Sequence, residues 1–475
     1  MEHWKEIVRE KRRSQAKSIP PAWRLPFIPE DFVNSIDVIE SCDILSDKER
    51  QITKITDAPA LLRKMASGEL FCLEVTTAFC KRAAIAISHQ LVNCCTEMFF
   101  ERALKQSKEL GDHLARTGSV VGPLHGLPIS IKDGFEIEGI DTTVGAVLYV
   151  KTNIPQSLMM SDSYNHVFGQ SVNALGGSFG GEGALVGAQG SIIGVGTDIG
   201  GPIRIPAALQ GLYGLLPSVG RIPWEKSSHT LGNIEMFMKA VSSSCPWKTD
   251  PRALPIPWRE ELTKPPTGPL KIAFIFDDGV VKPQPPISRV LRETAARLKA
   301  AGHEGMLVGE ERDKLDIRQR QQLEMQKIAY MEMHLAHWNK IGIDALVMPV
   351  MAWVESKQLL GYSALWNLLD YAALTVPITK VDPVVDAPGS EWIEHNARNE
   401  SDAFNHQQFK GMPVSLQVVM ERYGEEKAIS IGKCQRYFIK NVPGFVFAPR
   451  LGNGSRSSNL FAYARDEVNE AVIHE

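Results

Sequence analysis

Three features of the chain have residue types and spacing suited to covalent chemistry on a carbonyl group. Lys132 ends the short apolar run Leu127-Pro-Ile-Ser-Ile and is followed by Asp133-Gly134. A lysine at the buried end of a strand is desolvated, which lowers its pKa and supplies a neutral amine as base. The same spacing also fits a surface lysine that follows a strand. Ser178 stands inside Gly-Gly-Ser-Phe-Gly-Gly, and glycines on both sides let the backbone bend sharply and approach a ligand. That segment also fits G-x-S-x-G through Gly176, Ser178 and Gly180, the serine elbow of α/β hydrolases, although a plain glycine-rich turn has the same pattern. The third feature is Gly194-Val-Gly-Thr-Asp-Ile-Gly-Gly, whose successive N–H groups can form an anion nest or oxyanion hole. No Lys-Ser/Thr follows its last glycine, and Ile199 takes the third glycine's place in G-x-G-x-x-G. Neither nucleotide-binding pattern is therefore satisfied.

The elements that must position these residues alternate between strand and helix. Residues 3–17 read as a helix closed by Ile19-Pro20-Pro21. Asp57 is placed as the N-cap of a helix with Pro59 in its first turn. Glu74–Ile87 and Glu97–Thr117 continue the helical pattern. Leu127–Ile131 reads as a buried strand, followed by glycine-rich chain to about Gly220. Leu270–Phe276 is a strand, Ile287–Ala301 an amphipathic helix ended by Gly302, and Asp344–Val350 and Val414–Val419 are further strands. Strands separated by helices predict an α/β sheet. Pro265-Pro266-Thr-Gly is the one linker-like stretch, and it reads as a joint between two layers of a single domain.

Composition narrows the function classes. With 52 basic and 55 acidic side chains the net charge is −3, so no strong field favours nucleic acid or an anionic membrane. No window reaches the ~18 apolar residues that would span a bilayer, so an integral membrane segment is not expected. The charged, amphipathic N-terminus lacks the apolar core of a signal peptide. Seven cysteines, with no CxxC pair and with Cys94 and Cys95 adjacent, read as reduced thiols of a cytoplasmic protein. The histidines are dispersed, and His334 and His337 lack an H-E-x-x-H context, so no metal site is expected.

Taken together, the motifs resemble those of the amidase signature family, in particular the fungal general amidases and acetamidases. The resemblance is carried by GPLHGLPISIKDGF (122–135), GGSFGGEGAL (176–185), GVGTDIGGPIRIPAALQGLYGLLPS (194–218), GYSALWNLLDYAALTVP (361–377) and KGMPVSLQVV (410–419). It covers roughly residues 4–430. It implies one large α/β/α domain with a central mixed sheet flanked by helices. It also implies a Ser–cis-Ser–Lys mechanism that needs no cofactor. The family lysine maps to Lys132, and the bridging serine, which follows a cis peptide bond, maps to Ser178. The oxyanion hole maps to the N–H groups of Ile199, Gly200, Gly201 and position 202.

Position 202 departs from the pattern. The nucleophilic serine of the family follows the two glycines of GTDIGG and precedes Ile-Arg-x-Pro, and in this chain that position is Pro202. Proline has neither a hydroxyl to acylate nor an N–H to donate. Asp198 and Arg204 read as a structural ion pair beneath the loop. Other departures are the short run of Asn173-Ala-Leu into Gly176, Phe179 for the family's second serine, and shortened connections at Ser228–Asn233 and Val308–Lys314.

The expected organisation is an N-terminal helical segment (1–60) packed on the core, an amidase-signature domain (61–433) and a divergent tail (434–475). Two functions from different classes stand. One is hydrolysis of a small linear amide, in fungal nitrogen or secondary metabolism, with Ser178 or another hydroxyl replacing the missing nucleophile. The other is a disarmed or repurposed relative that binds a small molecule or serves a non-hydrolytic step. An α/β hydrolase built on G-x-S-x-G is a third reading, and it requires a downstream Asp and a His such as His303, His334 or His337. The partners implied are a small-molecule amide or ligand and no nucleic acid, and the chain is compatible with a homodimer.

Overall fold

β-branched and aliphatic runs build the middle of the molecule. In the computed structural model, residues 3–29, 34–87, 91–135, 145–158, 163–172, 180–222, 225–278, 281–307, 317–355, 361–388 and 404–434 are described. The strands are β1 (Cys95–Met98), β2 (Pro128–Lys132), β3 (Val147–Thr152), the short pair β4 (Tyr164–Asn165) and β5 (Gly169–Gln170), β6 (Ile193–Gly196), β7 (Tyr213–Leu216), β8 (Glu225–Ser228), β9 (Lys271–Phe274), β10 (Glu304–Leu307), β11 (Ala345–Pro349), β12 (Ala372–Lys380) and β13 (Pro413–Met420). Except for the β4–β5 pair, they form one 11-stranded sheet in the order β1-β3-β2-β6-β8-β7-β12-β13-β11-β9-β10. β3, β2 and β6 run parallel, as do β11, β9 and β10, while the pairings from β6 through β8, β7, β12 and β13 to β11 are antiparallel. The sheet is mixed, as expected.

The helices cover it. They are α1 (His3–Lys17), α2 (Ser35–Ser41), α3 (Asp47–Thr53), α4 (Ala58–Ala66), α5 (Cys72–Ile87), α6 (Phe100–Thr117), α7 (Gly181–Gly187), α8 (Arg204–Gln210), α9 (Leu231–Ser243), α10 (Pro285–Ala300), α11 (Ile317–Ile341), α12 (Gly361–Leu368) and α13 (Glu425–Lys433). α4 starts where its cap demands: the Asp57 side chain accepts the Ala60 N–H, and Pro59 sits in the first turn. The core is continuous through the central strands. Every residue of β13 is buried, as are the first seven of β12, which is what a strand covered on both faces requires.

Several boundaries differ from the sequence reading. The helix expected from Glu97 begins at Phe100, because Cys95–Met98 pairs antiparallel with β3 as an edge strand. The glycine-rich stretch to Gly220 holds regular elements, α7, β6, α8 and β7. α1 has no buried residue and is held at the β1 edge by polar bonds, from Gln15 to the Cys95 carbonyl at 2.8 Å and from Lys11 to Glu97 at 3.2 Å.

Candidate active site

The candidate site lies at the C-terminal ends of two parallel neighbours, β2 and β6. Their register pairs Ser130 with Gly194 and Ile131 with Val195, so Lys132 leaves its strand beside the loop that follows Gly196. Ligand sites form at such strand ends because the loops there are free to diverge. Lys132 is 8 % exposed, and its Nζ donates to Thr197 Oγ1 at 2.9 Å. The Thr197 residue is itself exposed.

The loop 197–203 is held from below by one carboxylate. Asp198 accepts the N–H of Gly201 at 2.6 Å and those of Ile203 and Arg204 at 3.4 and 3.3 Å. Arg204, in the first turn of α8, returns a forked pair, Nε to Oδ2 at 2.9 Å and Nη2 to Oδ1 at 3.0 Å, with both side chains wholly buried. This is the ion pair read from the sequence. Burial alone would raise the Asp198 carboxyl, but the charge and hydrogen bond of Arg204, with a bond from Asn367, hold it below the ordinary carboxylate range. From α12, Ser363 donates to the Gly200 carbonyl at 2.5 Å, and Asn367 donates to the Asp198 carbonyl. Gly201 has φ +138°, and a Cβ there would stand 2.5 Å from Ile205 Cδ1, so any side chain at this position would be strained.

This scaffold sorts the expected oxyanion donors. The Gly201 N–H is committed to Asp198, and Pro202 has none. Among the described residues the N–H groups of Ile199 and Gly200 donate to no protein acceptor. Ile199 is 81 % exposed. Ser178, with its preceding peptide bond, lies outside the described residues, as do Gly176 and Phe179.

Glu182, in the first turn of α7, is a site residue that sequence reading did not single out. Its oxygens accept from Ser130 Oγ, on β2, and Thr152 Oγ1, on β3. Burial pushes its carboxyl up to about 7, against the pull of Ser130, Thr152 and the Lys132 charge. Gly194 makes room for it, since a Cβ there would lie 2.6 Å from Glu182 Cγ. Nothing in its sequence context marks this glutamate, and the hydrogen bonds from Ser130 and Thr152 are what show that it points inward.

These residues enclose a cavity of about 240 Å3. Lys132, Glu182, Asn153 and Ser163 supply polar wall, while Ile199, Pro202, Ile203, Ile205, Leu158 and Pro206 make the rest largely apolar. The histidines required by a serine-elbow hydrolase are elsewhere. His303 Nδ1 accepts the Leu270 N–H at 3.0 Å, and His334 packs edge-on against Trp366 and Tyr371. Neither they nor His337 line the cavity. Among the described residues no cluster of three metal-ligating side chains occurs, and no helix is long and apolar enough to cross a membrane.

Comparison with known proteins shows the family and the fold. The amidase family model matches residues 74–146 and 144–312. The chain is 34% identical to an acetamidase of Emericella nidulans over 549 aligned positions, covering 92% of this chain and 99% of that one. It is 31% identical to an acetamidase of Aspergillus oryzae, with 90% and 98% covered. The first alignment is longer than this 475-residue chain, so the relative carries segments that have no counterpart here. Among solved structures, a fatty acid amide hydrolase superposes with a TM-score of 0.80 at 29% identity, covering 91% of this chain and 94% of that one. A bacterial aryl acylamidase shares the fold, with a TM-score of 0.63 at 16% identity over 80% of this chain and 97% of that one.

Proposed function

The chain belongs to the amidase signature family, and on that premise we propose that it binds small amides in the cavity above β2 and β6 without hydrolysing them through position 202. One observation carries the reading. Pro202 lines the cavity at the end of the Gly200-Gly201 turn, where the family pattern calls for the serine that becomes acylated. A proline there removes the nucleophile and one oxyanion donor together. The rest of the machinery supports retention of binding. Lys132 stands at the strand end, and the loop is anchored by Asp198 and Arg204. The N–H groups of Ile199 and Gly200 remain available to a carbonyl oxygen. Ser178 enters this reading as the residue that bridges Lys132 and the ligand.

A second reading, hydrolysis with a different hydroxyl as nucleophile, has one specific observation in its favour: Lys132 Nζ lies within 2.9 Å of the exposed Thr197 hydroxyl. The bond as it stands has the amine donating, whereas a base must accept, so this reading takes second place.

Calorimetric titration with hexanamide and benzamide, with ammonia assayed in the same samples, separates the two. The binding reading expects saturable heat and no ammonia above the level of a Lys132→Ala control. Sustained ammonia release that Lys132→Ala abolishes would establish the second reading instead.

A further inference from the structure

We infer that Glu182 is the buried counter-charge of Lys132, a positioning residue that sets whether the Lys132 amine acts in this cavity only as a hydrogen-bond donor or also as a base. The inference goes beyond the binding reading above and rests on it only for the place of Lys132 in the ligand site.

Strand register brings the two side chains together. Residues two apart on a strand share a face, so Ser130 and Lys132 project from the same face of β2. In the parallel pairing of β2 with β3, Thr152 stands beside Lys132. Glu182 accepts from Ser130 Oγ with one carboxylate oxygen and from Thr152 Oγ1 with the other. Its carboxylate is thereby tied to the residue two before Lys132 and to the residue beside Lys132 across a strand gap of about 4.8 Å.

Two glycines clear the floor for the pair. Gly194 and Gly196 lie two apart on β6, the strand next to β2. A Cβ on Gly194 would stand 2.6 Å from Glu182 Cγ, and one on Gly196 would stand 3.8 Å from Lys132 Cδ. Both side chains therefore lie over the same face of β6.

Lys132 and Glu182 are both buried, and both belong to the cavity wall. An ion removed from water needs an opposite charge or gives up its own. Among the described residues Glu182 is the only acidic side chain of that wall. Other carboxylates close in sequence are engaged, Asp198 with Arg204 and Asp133 with Lys151 at 3.3 Å. The remaining groups that act on Glu182 carry no charge. Ser191 bonds Ser130 Oγ at 2.8 Å. The Cys95 thiol of β1, raised by its contact with Cys94 and by burial, and the Tyr149 phenol of β3, raised by burial, both stay neutral.

Burial lifts the Glu182 carboxyl to about 7, against the bonds from Ser130 and Thr152 and the charge of Lys132. The attraction is mutual. Once ionised, Glu182 stabilises the Lys132 ammonium, which then releases its proton at a higher pH than it would beside a neutral side chain. An ammonium only donates, as Lys132 does to Thr197, whereas the neutral amine can accept a proton.

The test uses the full chain labelled with 13C at the lysine ε-carbons, the Lys132 signal being identified by its loss in Lys132→Arg. The signal is followed by NMR from pH 5 to 11 in the unmodified chain and in Glu182→Gln. The unmodified chain should show a step in the Lys132 signal near pH 7, where Glu182 ionises, ahead of the main step of the amine itself. In Glu182→Gln the early step should vanish and the main step should fall by at least about one pH unit. A Glu182 with a merely structural role would lower the melting temperature and leave the Lys132 titration where it was. Absence of the early step in the unmodified chain overturns the inference, even if Glu182→Gln fails to fold. An early step that persists in folded Glu182→Gln, or a main step at unchanged pH, overturns it as well. Hexanamide is titrated into the unmodified chain alongside. Binding without the Lys132–Glu182 coupling overturns this inference alone, and coupling without binding overturns the amide-binding reading alone.

Discussion

Asp198 and Arg204 meet in a forked ion pair from which water is wholly excluded, and the same Asp198 carboxylate holds the Gly201 N–H at 2.6 Å. This buried charge pair is therefore spent on the shape of the loop. Removing one partner of a buried pair strands the other charge. Asp198→Asn is expected to lower the unfolding free energy by about 3–5 kcal/mol, and the double variant Asp198→Asn/Arg204→Met by less than the sum of the two single changes. Urea denaturation of the four proteins checks this.

A second buried cluster gives an asymmetric expectation. Arg221 faces both Glu425 and Glu426 at the start of α13, and Arg259 adds a bond to Glu426 at 2.6 Å. Burial raises the Glu425 carboxyl above the ordinary range. For Glu426 burial acts in the same direction, but the Arg259 bond and the Arg221 charge overcome it and hold that carboxyl low. Glu426→Gln is therefore expected to destabilise the fold by about 3 kcal/mol or more. Glu425→Gln, which keeps an acceptor for the Ser218 N–H, should cost clearly less. Equal losses in chemical denaturation would contradict this assignment.

Glu182 predicts a pH dependence of the opposite sign to that of an ordinary ion-paired carboxylate. Its folded pKa of about 7 lies above the ordinary 4.5, so between those values the folded state binds more protons than the unfolded one. Stability from this group therefore falls as pH rises from 4.5 through 7, by up to about 3 kcal/mol. Glu182→Gln should remove that slope. Melting temperatures of both proteins between pH 4.5 and 8 test it, and parallel profiles would count against a protonated Glu182.

Lys132 Nζ donates to Thr197 Oγ1 at 2.9 Å, so Thr197 is expected to help position Lys132. In a chain carrying Pro202→Ser, the further change Thr197→Val is expected to lower kcat about tenfold. Stability should change by less than about 1 kcal/mol, because the residue is exposed. An unchanged kcat would remove Thr197 from the site.

The sequence made the sheet strands with aliphatic runs easy to read, since Leu270–Phe276, Asp344–Val350 and Val414–Val419 each locate a strand to within about two residues. It did the same for the Asp198–Arg204 pair, where a carboxylate and a guanidinium six residues apart flank the loop. Glu182 and Ser163 were not legible. Each is defined by what is absent around it: Glu182 by the bare Cα of Gly194 against which its side chain packs, Ser163 by a hydroxyl that finds no partner among the described residues. β1 was misread as helix because Glu97–Met98 continue the polar–apolar pattern of α6, and only the pairing with β3 decides otherwise. Gly201 was assigned to the oxyanion hole with its two predecessors, whereas the Asp198 carboxylate claims its N–H, a contact that spacing alone does not reveal.

The central claim is the proposal that Pro202 removes hydrolysis from this chain. Its most direct test is ammonia release from hexanamide and benzamide by the chain with Pro202, by Pro202→Ser and by Pro202→Ser/Lys132→Ala. The account predicts no turnover with Pro202, turnover at least about 10³-fold higher with Pro202→Ser, and its loss in the double variant. Lys132-dependent turnover by the unmodified chain would contradict it.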